Sequence, residues 1–197
     1  AILSRRPLTD VVRGFADGAE ETDARLIAAT IDGVRIISAY VPNGSTVASD
    51  KYAYKRAWFS RLEAYLAKRH TPAEPLALCG DFNVAPETRD IAKPDQWADS
   101  VLCCTEIRAD LERLRRFGLE DSFRRLHEEG GHYSWWDYRN LGFPKNDGLR
   151  IDHIDVTSAL AQRLASIEID RTERRPKGGP EGTKPSDHAP VLATFSN

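Results

Sequence analysis

The sequence predicts an α/β protein in which two packed sheets are covered by helices. Three observations carry that expectation. Short apolar, β-leaning runs outnumber helical ones. They come in hairpins, with amphipathic helices inserted between the groups. No Pro/Gly-rich linker, internal repeat or low-complexity tract divides the 197 residues, so one domain over 1–197 is expected.

In chain order, residues 26–31 and 34–40 are apolar runs joined by Asp32-Gly33, a pair that accepts the positive φ both central residues of a tight hairpin turn need. Residues 51–69 carry Tyr54, Trp58, Leu62, Tyr65 and Leu66 at helical spacing, and Pro72 and Pro75 end that helix. Residues 76–79 form a short buried strand. A second helix is expected over 105–117, with Ile107, Leu111 and Leu114 on one stripe, Thr105 as its cap and Gly118 as its stop. A short third helix is expected around 120–127, and strands at 133–136, 149–156, 166–170 and 191–195. Residues 173–186, rich in Gly, Pro, Lys and Arg, read as a mobile loop.

Composition narrows the function classes. The chain is 41% hydrophobic and 29% charged, ordinary for a globular domain. No apolar run approaches the roughly 18 residues of a membrane helix, and no signal-peptide pattern is present. A net charge of −2 supplies no global basic field, so a nucleic-acid partner would need a local patch. Cys79, Cys103 and Cys104 make an odd count, and adjacent Cys103 and Cys104 are poorly placed to bridge, which reads as reduced thiols in a cytoplasm. With no methionine anywhere and an opening Ala1-Ile2-Leu3-Ser4, the sequence is expected to start downstream of a natural start codon.

Four polar clusters each sit at the end of an apolar strand-like run: Tyr40-Val41-Pro42-Asn43-Gly44, Gly80-Asp81-Phe82-Asn83, Leu149-Arg150-Ile151-Asp152-His153 and Ser186-Asp187-His188-Ala189-Pro190. Loops at one rim of a rigid scaffold are where active sites concentrate. Asp81, Asp152 and Asp187 supply hard oxygen ligands or a base, Asn43 and Asn83 neutral hydrogen-bonding groups, and His188 and Tyr40 protons. Hydrolysis of a phosphodiester needs these parts: a carboxylate-held Mg²⁺, a base for water, and donors for the phosphoryl oxygens. Asp152 beside His188 would fix the histidine tautomer. Taken singly, each cluster also reads as turn chemistry or a capped loop. Together they define a candidate metal-dependent hydrolase, with no phosphate loop, zinc spacing or nucleophile elbow to compete.

Aromatic and basic residues narrow the substrate. Residues 133–139, Tyr-Ser-Trp-Trp-Asp-Tyr-Arg, place rings beside an arginine, which suits packing on a sugar or base and a grip on phosphate. Trp136 is expected to be partly core. Arg113, Arg115, Arg116, Arg124 and Arg125 read better as a solvated helix face than as a phosphate stripe, and Arg174, Arg175 and Lys177 are the better phosphate candidates.

These motifs, with Tyr40-Val-Pro-Asn43-Gly, Leu-Cys-Gly-Asp81-Phe-Asn83, Trp-Trp-Asp-Tyr-Arg139, Leu-Arg-Ile-Asp152-His and Ser-Asp187-His188-Ala-Pro in order, resemble the exonuclease III family, within the endonuclease/exonuclease/phosphatase superfamily and on its bacterial branch. The resemblance implies a four-layered α-β-β-α sandwich that cleaves DNA 5′ to abasic sites, with 3′-to-5′ exonuclease and 3′-repair activities. It implies Mg²⁺, with Mn²⁺ as a substitute, and double-stranded DNA carrying abasic or 3′-blocked sites as partner. By position it gives Asp81 the attacking water with Asn83 beside it, His188 the scissile phosphate with Asp152 orienting it, and Tyr40 and Asn43 the phosphate oxygens. Asp187, with Asp81 and Asn83, falls at the metal. Trp135, Leu149 and Ile151 would line the pocket for a flipped-out abasic sugar, with Arg139 near the phosphates. The resemblance further implies a cytoplasmic, nucleoid-associated bacterial protein, monomeric in the full fold.

One departure follows. The family's first strands and its Gln-Glu-Thr-Lys segment, whose Glu is the principal metal ligand, have no match here, and Glu20 and Glu21 lie in an Asp/Gly-rich loop. An N-terminally incomplete sandwich is therefore expected, with an open edge prone to pairing, weak Mg²⁺ binding and impaired activity. The alternatives are a relative acting on a non-nucleic phosphodiester and a non-catalytic DNA-binding fragment.

Overall fold

The computed structural model describes residues 1–19, 23–175 and 184–196; Glu20, Glu21 and Lys177 lie outside them. In chain order the elements are β1 (Thr9–Arg13), β2 (Leu26–Ile31), β3 (Val34–Tyr40), α1 (Asp50–Arg69), β4 (Leu76–Asp81), α2 (Pro94–Trp97), α3 (Thr105–Arg115), β5 (Leu119–Asp121), α4 (Ser122–Leu126), β6 (Asp152–Thr157), α5 (Ser158–Ala161), β7 (Leu164–Ile169), α6 (Arg171–Arg174) and β8 (Val191–Phe195). Among the described residues no helix is long and apolar enough to cross a membrane.

Strands β1-β2-β3-β4-β6-β5 form a six-stranded sheet, and β7 and β8 form a second. The β2–β3 hairpin is the one the sequence predicts: Asp32 and Gly33 both take positive φ, 48° and 78°. Strands β3 and β4 pair in parallel, which demands a crossover, and α1 provides it. Ser49 caps α1 by accepting the Tyr52 N–H.

Both faces of the large sheet are covered. Ile37, Ala39, Leu76 and Leu78 turn toward Trp58, Phe59, Leu62 and Leu66 of α1 and Ile107, Leu111 and Leu114 of α3. Ala77, Val156 and the partly buried Val34, Ile36 and Ile154 turn the other way, toward Leu160 of α5 and Phe195 of β8. Helices, large sheet and small sheet thus stack as successive α, β and β layers. Trp58, Phe59, Leu62 and Leu66 are at most 1% exposed, each worth roughly 1.5–3 kcal/mol of burial.

Several local expectations are corrected. Tyr54 is 42% exposed, and Tyr52 holds its place on the buried stripe. Thr105 does not cap α3; Cys104 precedes the helix without a side-chain cap. Residues 133–136 form no strand: Trp135 makes only isolated bridges to Leu149 and His188, because its neighbours bond to loop carbonyls instead. Residues 173 and 174 of the expected loop are helical, as the end of α6, with Arg174 buried against Tyr138 and Phe143. The arginines around α3 and α4 are neither a phosphate stripe nor a plain solvated face. Arg113 pairs with Glu63 and Asp110, Arg115 with Asp155 and Asp121, Arg124 with Asp90 and Arg125 with Glu120. The three cysteines are free, as expected.

Candidate active site

Strand register puts the chemistry in one row. Tyr40 at the end of β3 stands opposite Asp81 at the end of β4, and Asp81 stands opposite Asp152 at the start of β6. Gly80 makes that approach possible: at φ +141°, a Cβ there would lie 1.9 Å from the Ala39 carbonyl oxygen. Beyond Asp81 the chain turns at Asn83, whose φ of 51° asparagine tolerates. His188 is carried to the row from the last loop by the bridge to Trp135.

The result is a cavity of about 580 Å³ lined by Tyr40, Asn43, Asp81, Asn83, Trp135, Arg139, Ile151, Asp187 and His188. Ligand atoms of Asp81, Asp152 and His188 lie within 4.8 Å of one another. Of the site residues singled out in the sequence, two are not on the cavity wall: Leu149 is fully buried in the core, and Asp152 is hydrogen-bonded to His188 without lining the cavity. Arg139 is on the wall but mostly solvent-facing, its guanidinium paired with Asp137.

Each side chain has a defined setting. Asn83 donates from its backbone N–H to Asp81 Oδ1 at 2.8 Å and from Nδ2 to Asp81 Oδ2 at 3.1 Å. Asn43 Nδ2 donates to Asn83 Oδ1 at 3.0 Å. His188 Nδ1 lies 2.8 Å from Asp152 Oδ2. Ser134 Oγ accepts the Ile151 and Asp152 N–H groups and therefore donates its own proton to Asp152 Oδ2, at 2.6 Å. Trp135 Nε1 donates to Asp187 Oδ2 at 2.9 Å.

Electrostatics divide the roles. Burial, reinforced by the Asp152 carboxylate, pushes the Asp81 pKa up to about 7. For His188, burial works against the charged ring, but the Asp152 hydrogen bond and charge outweigh it and the pKa is raised. A carboxyl that titrates near neutrality beside an oriented imidazole suits proton transfer to and from water and phosphate. The donor set also fits a hard divalent cation. Asp81, Asn83 and Asp187 bring carboxylate and amide oxygens to one wall, and the carboxylate crowding at Asp81 is relieved by positive charge. Asp152 does not line the cavity; its Oδ2 accepts from Ser134 and orients His188.

Three contributors went unread in the sequence. Lys55 is fully buried, and its Nζ donates to the carbonyl oxygens of Asn43, Asn83 and Val101 at 3.1, 2.7 and 2.7 Å, tying three loops of the cavity together. Burial pulls its pKa down to about 7, against the pull of Asp81; three carbonyl acceptors nevertheless match the three protons of an ammonium. Its signal was a cation on the apolar stripe of α1. Ser134 lay inside a quoted motif, but a small hydroxyl carries no pattern. Trp97 packs edge-on against Trp135 with ring centroids 6.0 Å apart, and only the fold brings the two together.

A sandwich with this row of groups at its rim defines a phosphoesterase class, and comparison agrees. The family model for the endonuclease/exonuclease/phosphatase family matches residues 1–188, and the chain belongs to that family. Within it, the similarity runs to exonuclease III-type enzymes. The chain is 36% identical to exodeoxyribonuclease III of Haemophilus influenzae, covering 99% of this chain and 75% of that protein. It is 28% identical to the exodeoxyribonuclease of Bacillus subtilis, covering 97% and 71%. Among solved structures, the Neisseria 3′ phosphatase NExo bound to product DNA hairpin superposes with a TM-score of 0.90 at 38% identity, over 98% of this chain and 73% of that one. An AP endonuclease from Archaeoglobus fulgidus gives 0.89 at 34% identity, over 98% and 72%.

Proposed function

We propose that the protein is a Mg²⁺-dependent DNA-repair phosphodiesterase, cutting beside abasic sites and clearing blocked 3′ ends. The observation that carries this reading is the convergence of Asp81, Asp152 and His188, with Asp81 and His188 on the wall of one cavity that Tyr40, Asn43, Asn83 and Asp187 also line. Relatives named for exonuclease, AP-endonuclease and 3′-phosphatase activity supply the substrate class.

Asp81, on the cavity wall, takes a proton from the attacking water. Asn83 holds that carboxylate in place through two hydrogen bonds. His188, with Nδ1 committed to Asp152, presents its other ring nitrogen to the scissile phosphate and stabilises charge on its oxygens. Tyr40 and Asn43 donate to the remaining phosphate oxygens, and Trp135 and Ile151 give the sugar an apolar wall. Asp81, Asn83 and Asp187 would hold Mg²⁺, for which Mn²⁺ substitutes, and the ion when bound neutralises phosphate charge and orients the substrate. With DNA as its substrate, the protein would act at the nucleoid.

The test is nicking of a duplex with one abasic analogue, and phosphate release from a 3′-phosphate end, in Mg²⁺. Asp81→Ala and His188→Ala are each expected to lose roughly 10²-fold or more in rate. Retained activity in both variants overturns the mechanism; hydrolysis of small phosphodiesters in preference to DNA overturns the substrate.

A further inference from the structure

Among the described residues, two further clusters of ligand-type side chains lie outside the cavity. Asp121, His153 and Asp155 converge, but Arg115 and Arg150 already bind both carboxylates, so no positive charge is called for there. His127, Glu129 and His132, in the loop after α4, are different. Their ligand atoms lie within 4.8 Å of one another, and none of the three residues lines the cavity.

The tautomer of His127 is set by the fold. Its Nε2 lies 2.9 Å from the Ile167 carbonyl oxygen, which can only accept, so Nε2 carries the proton and the lone pair of the neutral ring sits on Nδ1. That Nδ1 faces Glu129 Oε1 at 3.4 Å, acceptor against acceptor. His132 Nε2 lies 2.9 Å from the same oxygen. A tetrahedral ion with bonds of roughly 2.0–2.1 Å needs ligand atoms about 3.3 Å apart, close to both separations. A histidine whose second nitrogen is held by a backbone carbonyl is also the usual arrangement for a metal ligand.

The loop is rigid without an ion. Arg124 Nη1 donates to the carbonyl oxygens of His127 and Glu129 at 3.1 and 2.7 Å, and Arg89 donates to that of Glu128. The His127 and His132 rings pack on Phe123, with centroids 4.4 and 5.4 Å away. We propose that His127, Glu129 and His132 form a surface site for a divalent transition ion, Zn²⁺ foremost, with a fourth position open to water. Two imidazoles favour such an ion over Mg²⁺, so the site is chemically distinct from the hard-oxygen set in the cavity.

The test is calorimetric titration of the untagged chain with Zn²⁺ in millimolar Mg²⁺, which occupies the oxygen site. One equivalent is expected to bind with micromolar or tighter affinity. His132→Ala and the near-isosteric Glu129→Gln should each weaken it about tenfold or more, with circular dichroism and Mg²⁺-dependent nicking unchanged. Absence of Zn²⁺ binding by the parent chain, or equal binding by both variants, overturns the site.

Discussion

Two sets of aspartates meet at β6 and have opposite fates. Asp90, Asp121 and Asp155 are buried against Arg115, Arg124 and Arg150. Asp81, Asp152 and Asp187 meet amides, a hydroxyl, an indole and one imidazole. β6 itself carries both kinds, Asp152 toward the cavity side and Asp155 toward the arginines. Burial by itself raises a carboxyl pKa. In the first set the guanidiniums, Arg150 foremost, overrule it and hold Asp90 and Asp121 below the usual carboxylate range. In the second no guanidinium answers, and Asp81 rises to about 7. The partner, more than the depth, separates a carboxylate that holds the fold from one that moves protons.

The largest effect should come from breaking the first set. Arg150→Ala takes one of two guanidiniums from each of the buried Asp90 and Asp121, leaving them with Arg124 and Arg115 alone, and should cost about 3–5 kcal/mol in urea-monitored unfolding. A cost near zero would remove the contrast. Breaking the second set should do the reverse. Asp81→Asn should leave stability within about 1 kcal/mol, because an amide keeps the shape without the desolvated charge, while nicking falls roughly 10²-fold.

Lys55 connects the two kinds of role. It is buried like the arginines but serves the cavity. Lys55→Met leaves three carbonyls without their donor and should cost about 1–3 kcal/mol, with kcat falling more than KM rises as the Asn43 and Asn83 loops loosen. An unchanged kcat at full folding would make the lysine merely structural.

The smallest effect is a pH signature. The folded pKa of Asp81 is raised, so folding binds its proton more tightly. The metal-free parent should therefore gain stability on Asp81→Asn, on the order of 1 kcal/mol, as pH falls from about 7 to 5. Asp90 and Asp121 are lowered, so their contribution is whole above the ordinary carboxylate range of about 4 and disappears as pH falls below it. Melting curves across that range check both limbs, and a pH-independent difference between parent and variant contradicts the first.

Much of this was legible in the residues, for local reasons. The Asp32-Gly33 turn, the β8 run and the rim tips with Asp81, Asp152 and His188 are set by neighbours in sequence. What escaped depended on distant partners. Arg115 and Arg124 look like surface charges until Asp155 and Asp90 arrive beside them. Residues 133–136 alternate like a strand, yet Trp136 N–H goes to the Asp187 carbonyl and Ser134 to Asp152. Lys55 broke an apolar stripe, a signal that means burial only once three carbonyls converge on it. The resemblance puts Leu149 in the pocket, yet its side chain is fully buried and packs into the core among distant partners.

The most direct measurement is a crystal structure of this chain with a DNA hairpin bearing a 3′-phosphate. The account predicts the phosphate within hydrogen-bond reach of His188, Tyr40 and Asn43, with Asp81 on its open side and Trp135 against the sugar. A phosphate bound on another face, with these side chains facing solvent, would contradict it.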